Sequence, residues 1–411
     1  MWLCNVAFSN KGLKSTGSWL QPLAEALVCN DCFEISNITL GNVRDVSKQD
    51  FRDINQWIIP SRWISRRYGN KMNNAIKRII DEYKPDLVHI WGTEGPWLSA
   101  YYSGYIKCTC LVDIQGLLFA CYKRYFGQLT IGELLQTIGL REILHPKKSV
   151  FFQSHFMRIK GKKELEFLRN MDYISTQSDW VRGQLMFECP QSHFYNTRII
   201  LRNEFLDSQP WKPKQTSGSP ILLTTTSGIA TPYKGLHTLI KAVSRLKQTY
   251  PNVMLRIVGD NYRDYKIKPG YSLFLHRLIN KLDLHQNIFF TGCLSAKEIV
   301  KEIQGCSVFV VPSYVETYCL GLAEAMAVGA PCVVSYSGAL PEQAINGIEA
   351  LFYMPDDECM CAYNCERLIK NIQLAESMSI AARKRKQMDN NPNEVVITQC
   401  NIYDSVLSKC I

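Results

Sequence analysis

At 411 residues the chain is too long for one ordinary core and suits two domains of about 200 residues each. A hydrophobic fraction of 46% with 20% charged residues excludes a disordered chain. The formal charge of +10 brings nucleic acid, anionic membrane and polyanionic substrates into view, but no base-reading motif accompanies it, which argues against nucleic acid.

The N-terminus, MWLCNVAFSNKG, has no basic region followed by an apolar core and reads as a first buried strand, so a cytoplasmic chain is expected. WLCNVAF, DLVHIWG and CLVDIQG are short apolar runs ending in glycine or polar turns, as in buried parallel strands. Between the first two lie GSWLQPLAEALV and KMNNAIKRIIDEY, with apolar residues at helical spacing. Residues 207–220, rich in Pro, Ser and Lys, read as a linker. The alternation then restarts with ILLTTTSG, GLHTLIKAVSRLKQTY, VMLRIVGD, LFLHRLINKLDL, NIFFTG, CSVFVVPS, AEAMAVG and PCVVSYSG. Helices follow, the last over about 394–411, which is expected to pack back on the first domain. The expectation is an α/β protein of two doubly wound, Rossmann-like domains facing a central cleft, 1–206 on the acceptor side and 221–393 on the donor side.

No run approaches ~20 apolar residues, so no transmembrane helix is expected. Sixteen cysteines sit mostly in apolar runs (Cys4, Cys306, Cys332), and neither Cys29/Cys32 nor Cys359/Cys361/Cys365 has a partner pair at zinc spacing. Reduced, packed thiols and no metal are expected.

Ligands of such sheets bind beyond the C-terminal strand ends, so the loops after the strands carry the chemistry. After CSVFVVPS comes ETYCLGLAE, residues 316–324. Its two glutamates, eight apart, suit a sugar at Glu316 and a ribose at Glu324, while the N–H groups of Cys319, Leu320 and Gly321 open a helix and can cradle a phosphate. The plainer alternative is a helix-capping Glu316 and a solvent-facing Glu324. After ILLTTTSG, Lys234 and Gly235 open a helix, where an ammonium can neutralise a leaving diphosphate without a metal. No D-x-D occurs to hold a diphosphate through Mg²⁺.

The string ETYCLGLAEAMAVGAPCVVS, followed by SGALPEQAINGIEALFY, resembles glycosyltransferase family 4, the retaining GT-B enzymes with the pattern E-G-F-G-L-x-x-x-E-A-M-A-x-G-x-P-V-V. The resemblance covers most of residues 218–355. It implies that Glu316 contacts the transferred sugar, Glu324 the ribose, and Tyr318, Cys319, Leu320, Gly321 and Leu322 the donor. Both family glycines are replaced, by Thr317 and Cys319. In the family's G-R-L-x-x-x-K-G the lysine matches Lys234, but Ile229 stands at the arginine position. Either one phosphate contact is absent or Arg202, Arg263 or Lys266 replaces it. Gly259 matches a strand-ending V-x-G, and Gly17 in KGLKSTGSWL resembles the glycine loop near the donor phosphate, with an N-cap turn as its alternative. Gln115 stands where many family members have a histidine near the sugar ring. His89 in VHIWG is the alternative imidazole, although a histidine ending an apolar strand is more often structural.

The resemblance implies a nucleotide sugar such as a UDP- or GDP-sugar as donor substrate, no cofactor, and a glycan or lipid-diphosphate-linked acceptor in bacterial surface polysaccharide synthesis. WIIPSRWISRRYGNKM (57–72) and residues 119–170 mix basic and aromatic side chains, as on an anionic membrane surface at the cytoplasmic face of the inner membrane. A solvated helical surface is the alternative. A non-catalytic nucleotide-sugar or glycan-binding protein and a sugar-nucleotide epimerase on the same plan remain open.

Overall fold

In a computed structural model of the chain, residues 1–9, 19–29, 33–65, 69–213, 219–226, 231–259 and 270–409 are described. They group into two compact units, one of Met1–Phe119, Lys160–Arg202 and the chain from Asn390 onward, the other of Ala120–Ile159 and Asn203–Asp389.

Among the described residues, the first unit has an eight-stranded sheet. Its strands are β1 (Trp2–Leu3), β2 (Ser36–Gly41), β3 (Ser47–Lys48), β4 (Asn55–Pro60), β5 (Val88–Trp91), β6 (Cys110–Ile114), β7 (Tyr173–Thr176) and β8 (His193–Asn196). They lie in the order β3-β4-β2-β1-β5-β6-β7-β8 and pair in parallel, except for the antiparallel edge strand β3. The helix Gly69–Tyr83 buries Met72, Ile76, Ile79 and Ile80, one stripe of its 3.6-residue period, and leaves its charged side chains outside. The C-terminal helix Pro392–Ser408 belongs to this unit, where the Tyr403 hydroxyl takes a 2.9 Å hydrogen bond from Trp2 Nε1.

The second unit has six described strands, β9 (Ile221–Thr226), β10 (Met254–Gly259), β11 (Ile288–Gly292), β12 (Val308–Val311), β13 (Cys332–Ser335) and β14 (Ala350–Tyr353). All pair in parallel in the order β11-β10-β9-β12-β13-β14. The order reverses between β9 and β12, which is the topological switch point where open α/β sheets take their ligands. The helix Leu236–Leu246 buries Leu236, Leu239, Ile240, Val243 and Leu246, as its spacing dictates. The helix Leu320–Val328 is buried from Leu322 to Val328.

Part of the linker is structured. Trp211 is buried, its backbone N–H bonds the Val328 carbonyl at 2.8 Å and its indole N–H bonds the Cys306 carbonyl at 2.8 Å. Residues 120–159 group with the second unit, whereas the strands that flank them in sequence belong to the first. No helix among the described residues is long and apolar enough to cross a membrane.

Candidate functional site

The loops after β9 and β12, on either side of the switch point, are stitched together. The Tyr314 amide donates to the Tyr233 carbonyl at 2.7 Å, and Thr238 Oγ1 and the Tyr314 hydroxyl share a 2.9 Å hydrogen bond. Gly235 sits at φ +71°, and a Cβ there would fall 1.9 Å from the Pro312 carbonyl oxygen, so only glycine lets the two loops approach this closely.

That approach brings Lys234 and Glu316 together, 82 residues apart in sequence, with Nζ 2.7 Å from Oε1. Ser313 Oγ donates to the same oxygen at 2.6 Å. The glutamate backbone is held as well, since the Ala339 amide donates to its carbonyl at 2.9 Å. Burial works against the Lys234 charge, but the Glu316 carboxylate outweighs it and holds the ammonium above its usual range. An ammonium carries three N–H donors, and the bond to Glu316 uses one.

The helix Leu320–Val328 starts beside this pair with no side-chain cap, and Gly321 packs against Thr225 of β9. Leu322 is buried, and Glu324 is 8% exposed in the first turns of a helix otherwise apolar all round. Burying a carboxylate there costs free energy that packing alone gives no reason to spend. Gln343 Nε2 donates to the Tyr318 carbonyl at 2.6 Å and so fixes the loop leading into the helix. Gly259 ends β10 at φ +135°, where a Cβ would lie 2.0 Å from the Thr226 carbonyl oxygen, so its close approach is to β9 itself.

Cys319 occupies the position that is glycine in the family pattern and keeps a glycine-like backbone at φ +103°. Burial, with the Glu316 charge adding to it, pushes its thiol up to about 12, so the side chain is a neutral thiol. The left-handed region costs an L-residue on the order of 1–3 kcal/mol, against roughly 0.5–1 kcal/mol of glycine entropy. Cys319→Gly is therefore expected to raise the unfolding free energy by about 1 kcal/mol, read as a higher urea midpoint at unchanged m. A lower midpoint would mean that thiol packing outweighs the strain.

In the first unit the ends of β5, β6 and β7 gather Thr93, Glu94, Asp113, Gln115 and Glu164. Gln115 follows β6 directly, and a Cβ at the adjoining Gly116 would meet a Glu94 carboxylate oxygen at 1.9 Å. Glu164 takes hydrogen bonds from the Thr93 hydroxyl and, at 2.7 Å, from the Phe119 amide. Asp113 takes one from Ser175 Oγ at 2.8 Å and one from Gln177 Nε2 at 3.0 Å. Burial lifts both carboxyls to about 7.

His89 is a correction. It is 1% exposed inside the first unit, its Nδ1 2.8 Å from the Tyr403 hydroxyl and its ring 3.8 Å from that of Trp91. Burial, with the N-terminal amine's charge adding to it, holds it well below its usual range, so it is a neutral core residue rather than a group that meets substrate. Gly17, Ile229, Arg263 and Lys266 lie outside the described residues. Sequence reasoning misses Ser313 and Gln343. The first lies two residues past the buried strand β12 and the second directly follows the proline–glutamate pair, the places where loop-bracing side chains are needed. It also misses His237, whose ring nitrogens meet the Tyr271 hydroxyl at 2.7 Å and the Gly127 carbonyl at 2.9 Å.

Residues 207–385 match the family model described as glycosyl transferases group 1. A glycogen synthase of Mycobacterium tuberculosis is 29% identical over 171 residues, 41% of this chain and 39% of its own length. The match thus spans well under half of that relative. Among solved structures, a sucrose-phosphate synthase from Thermosynechococcus elongatus superposes with a TM-score of 0.69 at 17% identity, over 95% of this chain and 93% of that one. Anabaena Alr3699/HepE, in complex with UDP and glucose, gives 0.67 at 14% identity over 98% of each chain. At these identities the likeness speaks for the fold alone, which is GT-B with two Rossmann-like sheets.

Proposed function

From the premise that residues 207–385 form a glycosyl transferases group 1 domain, we propose that the chain transfers a sugar from a nucleotide-sugar donor to a glycan or lipid-linked acceptor. The observation that carries this reading is the Lys234–Glu316 pair, 2.7 Å apart at the switch point of the second sheet. Lys234, held protonated by its partner, supplies positive charge for the departing diphosphate. Glu316, braced by Ser313, accepts hydrogen bonds from hydroxyls of the transferred sugar. Glu324 takes the ribose hydroxyls, and the amides opening the helix at Leu320 and Gly321 receive phosphate oxygens.

With a lysine and a helix terminus at the leaving group, transfer proceeds without a metal, and with retention as in the family the sequence resembles. The Anabaena neighbour's complex with UDP and glucose supports a UDP-linked donor. Gln115, beside Glu94 and Glu164 in the first unit, suits acceptor hydroxyls. Surface polysaccharide synthesis at the cytoplasmic face of the membrane fits the basic and aromatic surface, with the chain bound peripherally.

The test is incubation of the purified chain with a panel of UDP- and GDP-sugars, reading free nucleoside diphosphate. Release with one donor class, abolished in Glu316→Ala, is the expected result. Tight donor binding with no release against any acceptor extract would make the chain a binding protein instead.

A further inference from the structure

We propose that the two short helices Ile131–Leu135 and Leu140–Leu144, with the basic turn that follows them, form the element by which this chain enters an anionic lipid surface. This deepens the peripheral-membrane part of the proposed function and does not depend on the transfer reaction. The segment Ala120–Ile159 is fastened to the second unit by its polar groups. Gly127 bonds His237, Glu133 pairs with Lys241 at 2.8 Å, and Arg277 donates to the Gln136 carbonyl at 2.6 Å. Glu142, 4% exposed, takes the Gly270 amide at 3.0 Å.

With Glu133 and Glu142 turned inward, the two short helices turn five apolar side chains outward. Ile131 and Leu135 share one face at a spacing of four, and Leu140, Ile143 and Leu144 share another at three and four, all of them 58–79% exposed. An ordinary surface helix does the reverse. Exposed apolar residues scattered singly need no explanation, but five on two consecutive five-residue helices are more than scatter.

Charge selects the occupant. Residues 131–159 contain two acids, Glu133 and Glu142, and both are engaged inward. The basic side chains Lys147 and Lys148 follow on an exposed turn, and Arg158 is exposed on the next helix. The same helix carries Phe152 and Phe156 outward, their rings stacked at 6.3 Å and 15°. Exposed apolar side chains that share one segment with exposed cations and aromatics, its two acids engaged inward, complement a bilayer of anionic headgroups over acyl chains.

The experiment is co-sedimentation of the full chain with vesicles of phosphatidylcholine alone or with 30% phosphatidylglycerol, at low and high salt. Wild type is expected to bind the anionic vesicles at least about tenfold better than the neutral ones, with part of the binding surviving salt because apolar insertion is not screened. Leu140→Ser/Ile143→Ser/Leu144→Ser should lose about tenfold or more at either salt. Lys147→Glu/Lys148→Glu should lose chiefly at low salt. Ile380→Ser, equally exposed on the helix Ile372–Asp389, should bind as wild type. Matching melting temperatures confirm that the variants fold.

If the triple variant binds like wild type, this assignment is wrong while membrane association stands. If wild type ignores both vesicles, both fall, and nucleoside diphosphate release without vesicles still reports on transfer. A wild-type dimer that the triple variant turns into monomer, with no vesicle binding, would give the face to a second copy and overturn the proposal.

Discussion

Replacing Lys234 by alanine is expected to cut donor-dependent nucleoside diphosphate release by about a hundredfold to a thousandfold, the usual cost of removing one group that stabilises developing transition-state charge. The loss should fall on kcat more than on KM, because the ammonium matters most once the diphosphate begins to leave with its full charge. Glu316→Gln should lose a similar factor, since the amide brings no negative charge to the ammonium and keeps only one acceptor oxygen for the sugar hydroxyls. The two side chains share one bond, 2.7 Å long, so the double variant should be little worse than either single one. Multiplying losses would show that they act separately. Both side chains are mostly buried, at 21% and 12% exposure, so each variant's urea midpoint must accompany its rate. A Lys234→Ala protein with a wild-type midpoint and release within threefold of wild type would remove the pair from the mechanism.

What could be read from the sequence and what could not divide along the range of the forces involved. The helix Leu236–Leu246 declares itself through its apolar spacing, and β12 and β13 through unbroken apolar runs, because each pattern is local to its own element. Lys234 and Glu316 stand out for a similar reason, each being a charged residue between a strand and the helix that follows it. Their pairing belongs to the sheet order, since β9 and β12 are neighbours only after β10 and β11 have gone to the other side.

The membership of residues 120–159 in the second unit rests on contacts such as His237 with Gly127, 110 positions apart, and no local pattern announces it. His89 misleads for a similar reason. Read as a strand-end histidine it looks available, but it lies inside β5, and what buries it includes Tyr403, 314 positions away on the last helix. Cys319 is the reverse case. The motif's glycine there signals a left-handed backbone, and the chain retains that backbone although it has lost the glycine.

The carboxyls of Asp113 and Glu164 should make the first unit lose stability as pH rises. Asp113 is fully buried, and burial lifts it from 3.8 to about 7 against the opposing bonds from Ser175 and Gln177. Glu164, 3% exposed, is lifted from 4.5 to about 7 by burial against the bonds from Thr93 and Phe119, and the Glu94 charge pushes each further in the same direction. Both folded values lie above the unfolded ones, so between about pH 4 and pH 7 the native state binds more protons than the unfolded chain. The unfolding free energy then falls as pH rises. The contribution is whole below about pH 4 and gone above about pH 7. At about 1.4 kcal/mol per unit, each group accounts for up to roughly 3–4 kcal/mol. Asp113→Asn keeps the shape, and the Ser175 hydroxyl can turn to accept from the new amide. Relative to wild type, the variant should gain a few kcal/mol between pH 4.5 and pH 8. Tryptophan fluorescence in urea reads this unit almost alone, since of the eight tryptophans only Trp211 belongs to the other. Parallel pH profiles for variant and wild type would mean that Asp113 stays ionised in the fold, stabilised by Ser175 and Gln177 more strongly than burial opposes it.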